Sequence, residues 1–214
     1  MTNPISIDIS TSSTVTKWSA HEPHLPPAQL PTVTVNQLKI QPASIPSTPT
    51  GLQLLVFDIT QAIPTPASIL VNECLGVFPL SANSNSWSST YENIYGTTVY
   101  SLLGAGRPEN QLVLLTSFGL DFNMAPNNEA YSLLLSYGAG QALQAWENTS
   151  GGGGSQIGDP TSWVSFPANY MFVGFGSAGY GAGQEVFERP SQGNTVSSRL
   201  RVTVDPSTRK FGAI

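Results

Sequence analysis

The side chains best suited to binding chemistry are Asp121, Asn123, Trp146, Glu147 and Trp163. A pyranose ring presents a C–H face that rests well on an aromatic ring, and its hydroxyls need oriented hydrogen-bond donors and acceptors. Acidic, amide and indole groups in one region therefore predict a carbohydrate-binding site. Two structural alternatives stay open: the acid and amide could cap local backbone, and each tryptophan could belong to the core.

Residue types that carry metal or covalent chemistry are scarce in this chain. Both histidines lie in the segment 21–24, beside a proline and without helical register, so we expect a solvated loop there and no metal site. Cys74 is the only cysteine, which excludes an intrachain disulfide and a cysteine-based zinc site. It lies in an apolar run, and we expect it in the core.

Other enzyme signatures are equally weak. The chain has no Gly-x-Ser-x-Gly motif, and its glycine-rich stretch 174–183 contains no lysine, so we expect no serine nucleophile, phosphate loop or other cofactor site. Thirteen acidic residues permit many accidental pairs, and glycoside hydrolysis needs two carboxyls roughly 5–10 Å apart, a separation that one sequence does not give. The chain is therefore expected not to be an enzyme.

Composition narrows the class of partner. Charged residues make up 10% of the chain, against roughly 25% in an ordinary soluble domain, so hydroxyls and amides must cover much of the surface. A net charge of −5 with eight dispersed cations disfavours nucleic acid as a partner. The apolar runs are too short to insert into a membrane, and no signal peptide is visible, so the localisation is left open.

The first fifty residues differ in composition from the rest of the chain. Residues 1–50 contain eight of the seventeen prolines and only four charged side chains. We interpret them as a Pro/Thr-rich N-terminal extension with short edge strands within 14–19 and 32–40. Gly51 follows a Pro-rich stretch, and we place a domain boundary there.

Residues 51–214 are predicted to form one globular α/β domain of the α+β type. Largely apolar runs at 52–57, 111–118 and 170–174 indicate buried strands, and the first of them is expected to be buried on both faces. A further strand is predicted around 68–78. The stretch 198–204 alternates strictly, which is typical of a half-exposed antiparallel strand or an edge strand.

A helix between 125 and 138 should present Ala130, Leu133, Leu134 and Tyr137 as one apolar stripe toward a sheet and stop at Gly138. A shorter helix is expected within 97–103. We interpret residues 147–162 as a glycine-rich insertion, and the run Gly151–Ser155 could be natural or engineered.

Three segments resemble the interleukin-like EMT-inducer domain of the FAM-three-type cytokine-like proteins and of a glycosyltransferase stem. They are the strand 111–117; the loop and helix 120–135, similar to the family's acidic turn and Leu-Asn-Asp-Glu-Ala; and 170–179, similar to its Trp-Val-Phe-Val-Gly-x-Lys-Gly. The likeness spans about 51–188. It implies two twisted, mainly antiparallel sheets with flanking helices, noncatalytic sugar recognition and an extracellular or surface location, with Asp121 matching an acid of the turn.

The family's disulfide cysteines, its turn lysine and an arginine are absent, which favours a microbial or phage relative. The leading hypothesis is thus a noncatalytic, lectin-like module that binds a glycan or small saccharide, and a surface assembly such as an adhesin is one setting for it. The alternative is a structural protein whose residues 1–50 dock to a partner or a second subunit. A glycan-acting hydrolase is the third hypothesis.

Overall fold

The computed structural model describes residues 3–14, 16–19, 29–45, 51–76, 100–103, 108–119, 128–149, 162–165, 168–189 and 195–213. Its elements in chain order are β1 (Ile5–Thr14), β2 (Thr16–Ser19), β3 (Thr32–Val35), β4 (Leu38–Ile40), β5 (Gly51–Asp58), β6 (Ile69–Gly76), α1 (Tyr100–Leu103), β7 (Gln111–Phe118), α2 (Asn128–Ser136), α3 (Gln141–Thr149), β8 (Ser162–Ser165), β9 (Asn169–Phe175), β10 (Gln184–Glu188), β11 (Thr195–Asp205) and β12 (Lys210–Ala213).

Ten of these strands form two antiparallel sheets of five strands each. The outer sheet has the order β12-β11-β1-β3-β4, and the inner sheet has the order β10-β9-β7-β5-β6. β2 and β8 form a separate two-stranded ribbon. The prediction of two mainly antiparallel sheets is confirmed. No helix among the described residues is long and apolar enough to cross a membrane.

The core between the two sheets is built by strict alternation. Every second residue of β1 and β11 points toward the inner sheet, whereas the residues between them point away from it. The side chains that meet in this core come from six strands: Ile5, Ile7, Ile9, Val33, Val35, Leu55, Phe57, Leu112, Leu114, Met171, Val173, Phe175, Leu200, Val202 and Val204. This core couples the two sheets.

A second core lies on the opposite side of the inner sheet. Apolar side chains of β5, β7 and β9 contact the helices there, so these strands are buried on both faces, as the sequence predicts for β5. From the helix side the cluster includes Leu103, Leu133, Leu134, Tyr137, Leu143 and Trp146. Among the described residues, the order of layers is therefore outer sheet, inner sheet, helices.

The first strand is placed differently from our expectation. β1 pairs with β11 over ten residues and with β3 over Ile7–Ser10, so it is a long interior strand of the outer sheet. Its inward isoleucines lie in the same core as side chains from the rest of the chain. The boundary expected near Gly51 therefore does not separate two packing units among the described residues.

Apolar residues alternate at Val33 and Val35 and then at Leu38 and Ile40, so the alternation shifts by one residue between the two pairs. This shift has a local cause. β3 and β4 form a hairpin whose two turn residues, Asn36 and Gln37, both have positive φ, of 48° and 66°. Such a two-residue turn matches the twist of the strands it joins. Asn36 is held in place because its side chain accepts a hydrogen bond from the Ser6 backbone N–H and donates one to the Ile63 carbonyl.

Helix α2 ends just before Gly138, as the sequence predicts. Gly138 has a φ of +103°, and the backbone N–H groups of Gly138 and Ala139 donate to the carbonyls of Leu135 and Leu134. This pattern is a Schellman motif, which satisfies the last carbonyls of a helix. A Cβ atom at position 138 would lie 2.7 Å from the Gly183 backbone nitrogen, so the helix end also requires glycine for its close approach to the β9–β10 turn.

Candidate functional site

The outward side of the outer sheet carries almost only hydroxyl and charged side chains. Alternation along β1, β3 and β11 places these side chains there while the apolar ones fill the core. We call this surface the hydroxyl face; its serines and threonines are Ser6, Ser10, Ser12, Thr14, Thr32, Thr34, Thr195, Ser197 and Thr203. A surface of this kind can donate and accept hydrogen bonds at many closely spaced points.

A hollow of about 460 Å³ opens on the hydroxyl face where β3 stops running beside β1. Ser10 and Thr32 form the first described pair of β1 with β3, and beyond it Thr11–Thr14 pair only with β11 among the described residues. The residues lining the hollow are Ser10, Thr11, Ser12, Gln29, Leu30, Thr32, Ser197, Ser198 and Arg199. Among these described residues, four present outward hydroxyls, beside one amide, one guanidinium and one aliphatic side chain. Thr11 and Ser198 point inward and contribute to the floor.

The floor of the hollow is fixed by a buried hydrogen-bond network around Asn169. Its side-chain amide donates to the Val196 carbonyl at 3.1 Å and to Ser198 Oγ at 3.0 Å. Its oxygen accepts a hydrogen bond of 2.7 Å from Ser13 Oγ. Ser198 in turn donates to the carboxylate of Glu188, which ties the outer sheet to β10. The side chains beneath the hollow are therefore held by the fold. On the outward side, Ser12 Oγ and Ser197 Oγ are hydrogen-bonded to each other at 2.9 Å.

Electrostatics at the rim of the hollow are set by one carboxylate between two guanidinium groups. Arg199 donates to Asp8 through Nε and Nη2, and Arg201 donates to it through Nε at 3.1 Å. The hydrogen bond from Arg199 and the charges of both arginines hold the pKa of Asp8 below its usual value. Asp8 is consequently ionised at neutral pH and keeps Arg199 at the edge of the hollow.

Three of the residues selected from the sequence cannot be compared with this site. Asp121 and Asn123 lie outside the described residues. Trp163 lies in β8, opposite Trp18 of β2, but only the backbone of this ribbon is described. The binding roles of these three residues stay predictions.

Trp146 and Glu147 are placed on α3, and the structure separates them. The Trp146 side chain is 0% exposed and packs against Tyr170 and Phe187, with ring centroids 5.1 and 6.0 Å away. Its ring has no face open to a ligand, contrary to our expectation, because the helix turns it onto the inner sheet. Glu147 is exposed and hydrogen-bonds the hydroxyl of Tyr131. Neither residue lines the hollow.

Sequence reasoning missed the residues that line the hollow. The available signal was the alternation of Ile5, Ile7 and Ile9 with polar residues, which marks an amphipathic strand in a segment we interpreted as an extension. The alternation of 198–204 places Arg199 on the solvent side of its strand, but nothing in one strand shows which hydroxyls lie beside it. That information comes from the pairing of β11 with β1, nearly 190 residues apart in sequence.

The described residues offer few groups suited to metal binding or nucleophilic catalysis. They contain no group of three or more histidine, cysteine or acidic residues that could hold a metal ion. Cys74 is buried, as predicted, and burial followed by the charge of Glu73 raises the pKa of its thiol to about 12. Its thiolate is therefore scarce at neutral pH, and the residue is a poor nucleophile.

Comparison with known proteins adds no assignment. No protein-family model matches the chain. No curated protein matches its sequence. The chemistry of the hollow therefore has to be argued from the geometry of its own residues.

Proposed function

We propose that this protein is a noncatalytic carbohydrate-binding module and that the hollow on the hydroxyl face holds the sugar. The observation that carries the proposal is the described lining itself: the outward hydroxyls of Ser10, Ser12, Thr32 and Ser197, with one amide, one guanidinium and one aliphatic side chain. A hydroxyl both donates and accepts, so it can match the hydroxyls of a sugar in either direction. The volume of about 460 Å³ lies within the range of small-molecule sites.

The absence of acid–base groups in the lining supports binding without catalysis. No described lining residue carries a carboxyl or an imidazole, and glycoside hydrolysis requires two carboxyls. Two carboxylates accept hydrogen bonds from lining residues: Glu188 from the inward Ser198, and Asp8 from Arg199. The pKa of Asp8 is lowered, whereas a general acid requires a raised one. The third hypothesis, a hydrolase, therefore has no support from this site.

The resemblance to the interleukin-like EMT-inducer domain agrees with this proposal, since it also implies noncatalytic sugar recognition. That likeness rests on short motifs and stays a prediction. It would place the sugar near Asp121, whereas the geometry favours the hollow beside Ser197. Substitutions at the two positions distinguish the two locations.

The test blocks the hollow without touching the core. Ser197 is exposed and lines the hollow, so Ser197→Tyr should fill part of it. Thr203 faces outward on the same strand, about 20 Å farther along at about 3.3 Å per residue, and Thr203→Tyr is the matched control. A glycan array followed by titration with the best-bound oligosaccharide should show at least a tenfold loss for Ser197→Tyr and no loss for Thr203→Tyr.

Two outcomes contradict the proposal. If the wild-type protein binds no saccharide on the array, the function is wrong. If Asp121→Ala abolishes binding while Ser197→Tyr leaves it intact, the function holds but the site is the one implied by the family resemblance.

Truncation does not distinguish the alternative hypothesis, a structural protein that docks through residues 1–50, from the sugar-binding proposal. Removing residues 1–50 would delete β1, an interior strand whose isoleucines fill the core between the sheets. The shortened protein would lose any binding activity through misfolding. A partner-docking role therefore needs point substitutions, and no contact among the described residues favours it.

A further inference from the structure

Charge is distributed unevenly between the hydroxyl face and the rest of the molecule. Four of the eight lysines and arginines point outward from the outer sheet, namely Lys39, Arg199, Arg201 and Lys210. Among the described residues only Asp8 and Asp205 supply carboxylates to this face, so its net charge is +2. The other described side chains include six carboxylates and two arginines, so they carry a net charge of −4.

The cationic groups are concentrated next to the hollow. Arg199 lines it, and Arg201 follows two residues later on the same side of β11, about 7 Å farther along the strand. The two guanidinium groups share the single carboxylate of Asp8, which leaves a net charge of +1 between them. Their side chains are 53% and 49% exposed.

Asp8 leaves much of the donor capacity of this pair available to solvent. The hydrogen bonds to Asp8 use two N–H groups of Arg199 and one of Arg201, whereas each guanidinium has five. The planar arrangement of these groups suits the two oxygens of a carboxylate or sulfate better than a lone sugar hydroxyl. A neutral sugar would leave the cationic rim unmatched.

We infer that the saccharide bound in the hollow is acidic and that its carboxylate or sulfate group contacts Arg199 and Arg201. This inference rests on the proposed carbohydrate-binding function and names the class of sugar. The neutral hydroxyls of the lining hold the ring, and the guanidinium groups at the rim select the anion. The negative charge of the rest of the chain repels an anionic ligand from other surfaces and directs it to this one.

A nucleic acid is also anionic, but the structure favours it less. Double-stranded DNA carries one negative charge per about 1.7 Å, and proteins hold it with many phosphate contacts. Among the described residues, the hydroxyl face offers four cations over the whole sheet, and the side chains beyond it carry a net charge of −4. A short acidic oligosaccharide matches this local positive charge, whereas a long polyanion would run into the negative remainder.

The experiment compares sugars that differ only in charge. A hexasaccharide of oligogalacturonate is titrated beside its fully methyl-esterified form, and a heparin hexasaccharide tests sulfate as the source of the anion. At least one acidic probe should bind at least ten times more tightly than the methyl ester. Its affinity should fall as NaCl rises from about 50 to 500 mM, because exposed charges are screened.

A substitution outside the hollow identifies the residue that reads the charge. Arg201→Gln leaves the two Arg199 hydrogen bonds to Asp8 in place, and it should weaken the acidic probe about tenfold while leaving the methyl ester unchanged. Lys210→Gln removes the same charge from the same face, at the far hairpin, and should change either affinity less than twofold. Thermal melts of the variants confirm that both are folded.

The outcomes separate this inference from the function beneath it. If the methyl ester binds as tightly as the acids, or if Lys210→Gln matches Arg201→Gln, the inference is wrong and the sugar-binding function stands. If none of the acidic or neutral sugars binds, the proposed function itself fails. If a single-stranded DNA of about 20 nucleotides binds as tightly as the acidic sugars, the face recognises polyanions in general, and the inference is overturned.

Discussion

The two sheets use the faces that point away from their shared core in opposite ways. The inner sheet presents Leu54, Val113 and Phe172 to the helices, and this side is closed by packing. The outer sheet presents serine, threonine and arginine to solvent, and this side is open. Both sheets bury one face against the same core, so the difference lies only in every second residue of their strands. In this protein, that choice separates the face that stabilises the fold from the face that we propose to bind sugar.

The largest effect should come from the closed side. Trp146→Ala removes a fully buried indole between Tyr170 and Phe187 and should lower the free energy of unfolding by about 3–5 kcal/mol. Ser197→Ala on the open side should change it by less than about 0.5 kcal/mol. Urea denaturation measures both. A Trp146→Ala protein that keeps its stability but loses sugar binding would reverse the roles we assign to the two faces.

A smaller effect is expected where the helix layer is attached to the edge of the inner sheet. The Glu185 carboxylate accepts hydrogen bonds from the backbone N–H groups of Gly140, Ala142 and Leu143 and from the Tyr170 hydroxyl. It therefore caps the N-terminus of α3 from another element.

Glu185→Ala should lower the free energy of unfolding by about 2–3 kcal/mol, because it leaves several donors without an acceptor. Glu185→Gln keeps one acceptor oxygen and should cost about 1 kcal/mol. Denaturant titrations of the two variants test this order. Equal losses would mean that the contact works through packing rather than through hydrogen bonds.

The smallest effect belongs to the ion pair on the open side. Because the pKa of Asp8 is lowered in the folded protein, its contribution to stability is present above the unfolded-state pKa and disappears as pH falls through the folded-state pKa. Asp8→Asn should therefore cost about 0.5 kcal/mol near neutral pH, since an exposed pair is screened by solvent. Denaturation curves of Asp8→Asn and wild type should coincide in strong acid, and a difference that persists there would rule out the ion pair as its cause.

The sequence was most informative about the inner sheet. Largely apolar runs predicted β5, β7 and β9 as buried strands, and Gly138 was recognised as the end of a helix. These features depend on neighbours in the chain. α3 was missed because its N-terminus is capped by distant Glu185; the spacing of Ala139, Leu143 and Trp146 at i, i+4 and i+7 was the signal available.

The candidate site was the part that sequence reasoning could not assemble. Its residues come from the beginning and the end of the chain, and each serine is unremarkable until β1 and β11 lie side by side. The proline content of residues 1–50 favoured an extension, whereas the alternation of Ile5, Ile7 and Ile9 indicated an amphipathic strand. The proline content is a property of residues 1–50 as a whole, whereas the ten residues of β1 determine where this segment lies in the fold.

The pairing of β1 with β11 has a consequence for how the molecule is made. Ile5 lies opposite Val204, so this ladder closes only after the residues up to Val204 have left the ribosome. Until then β11 cannot add Leu200, Val202 and Val204 to the core that covers the inner sheet. During synthesis, part of the apolar face of the inner sheet is therefore expected to stay uncovered until β11 pairs with β1.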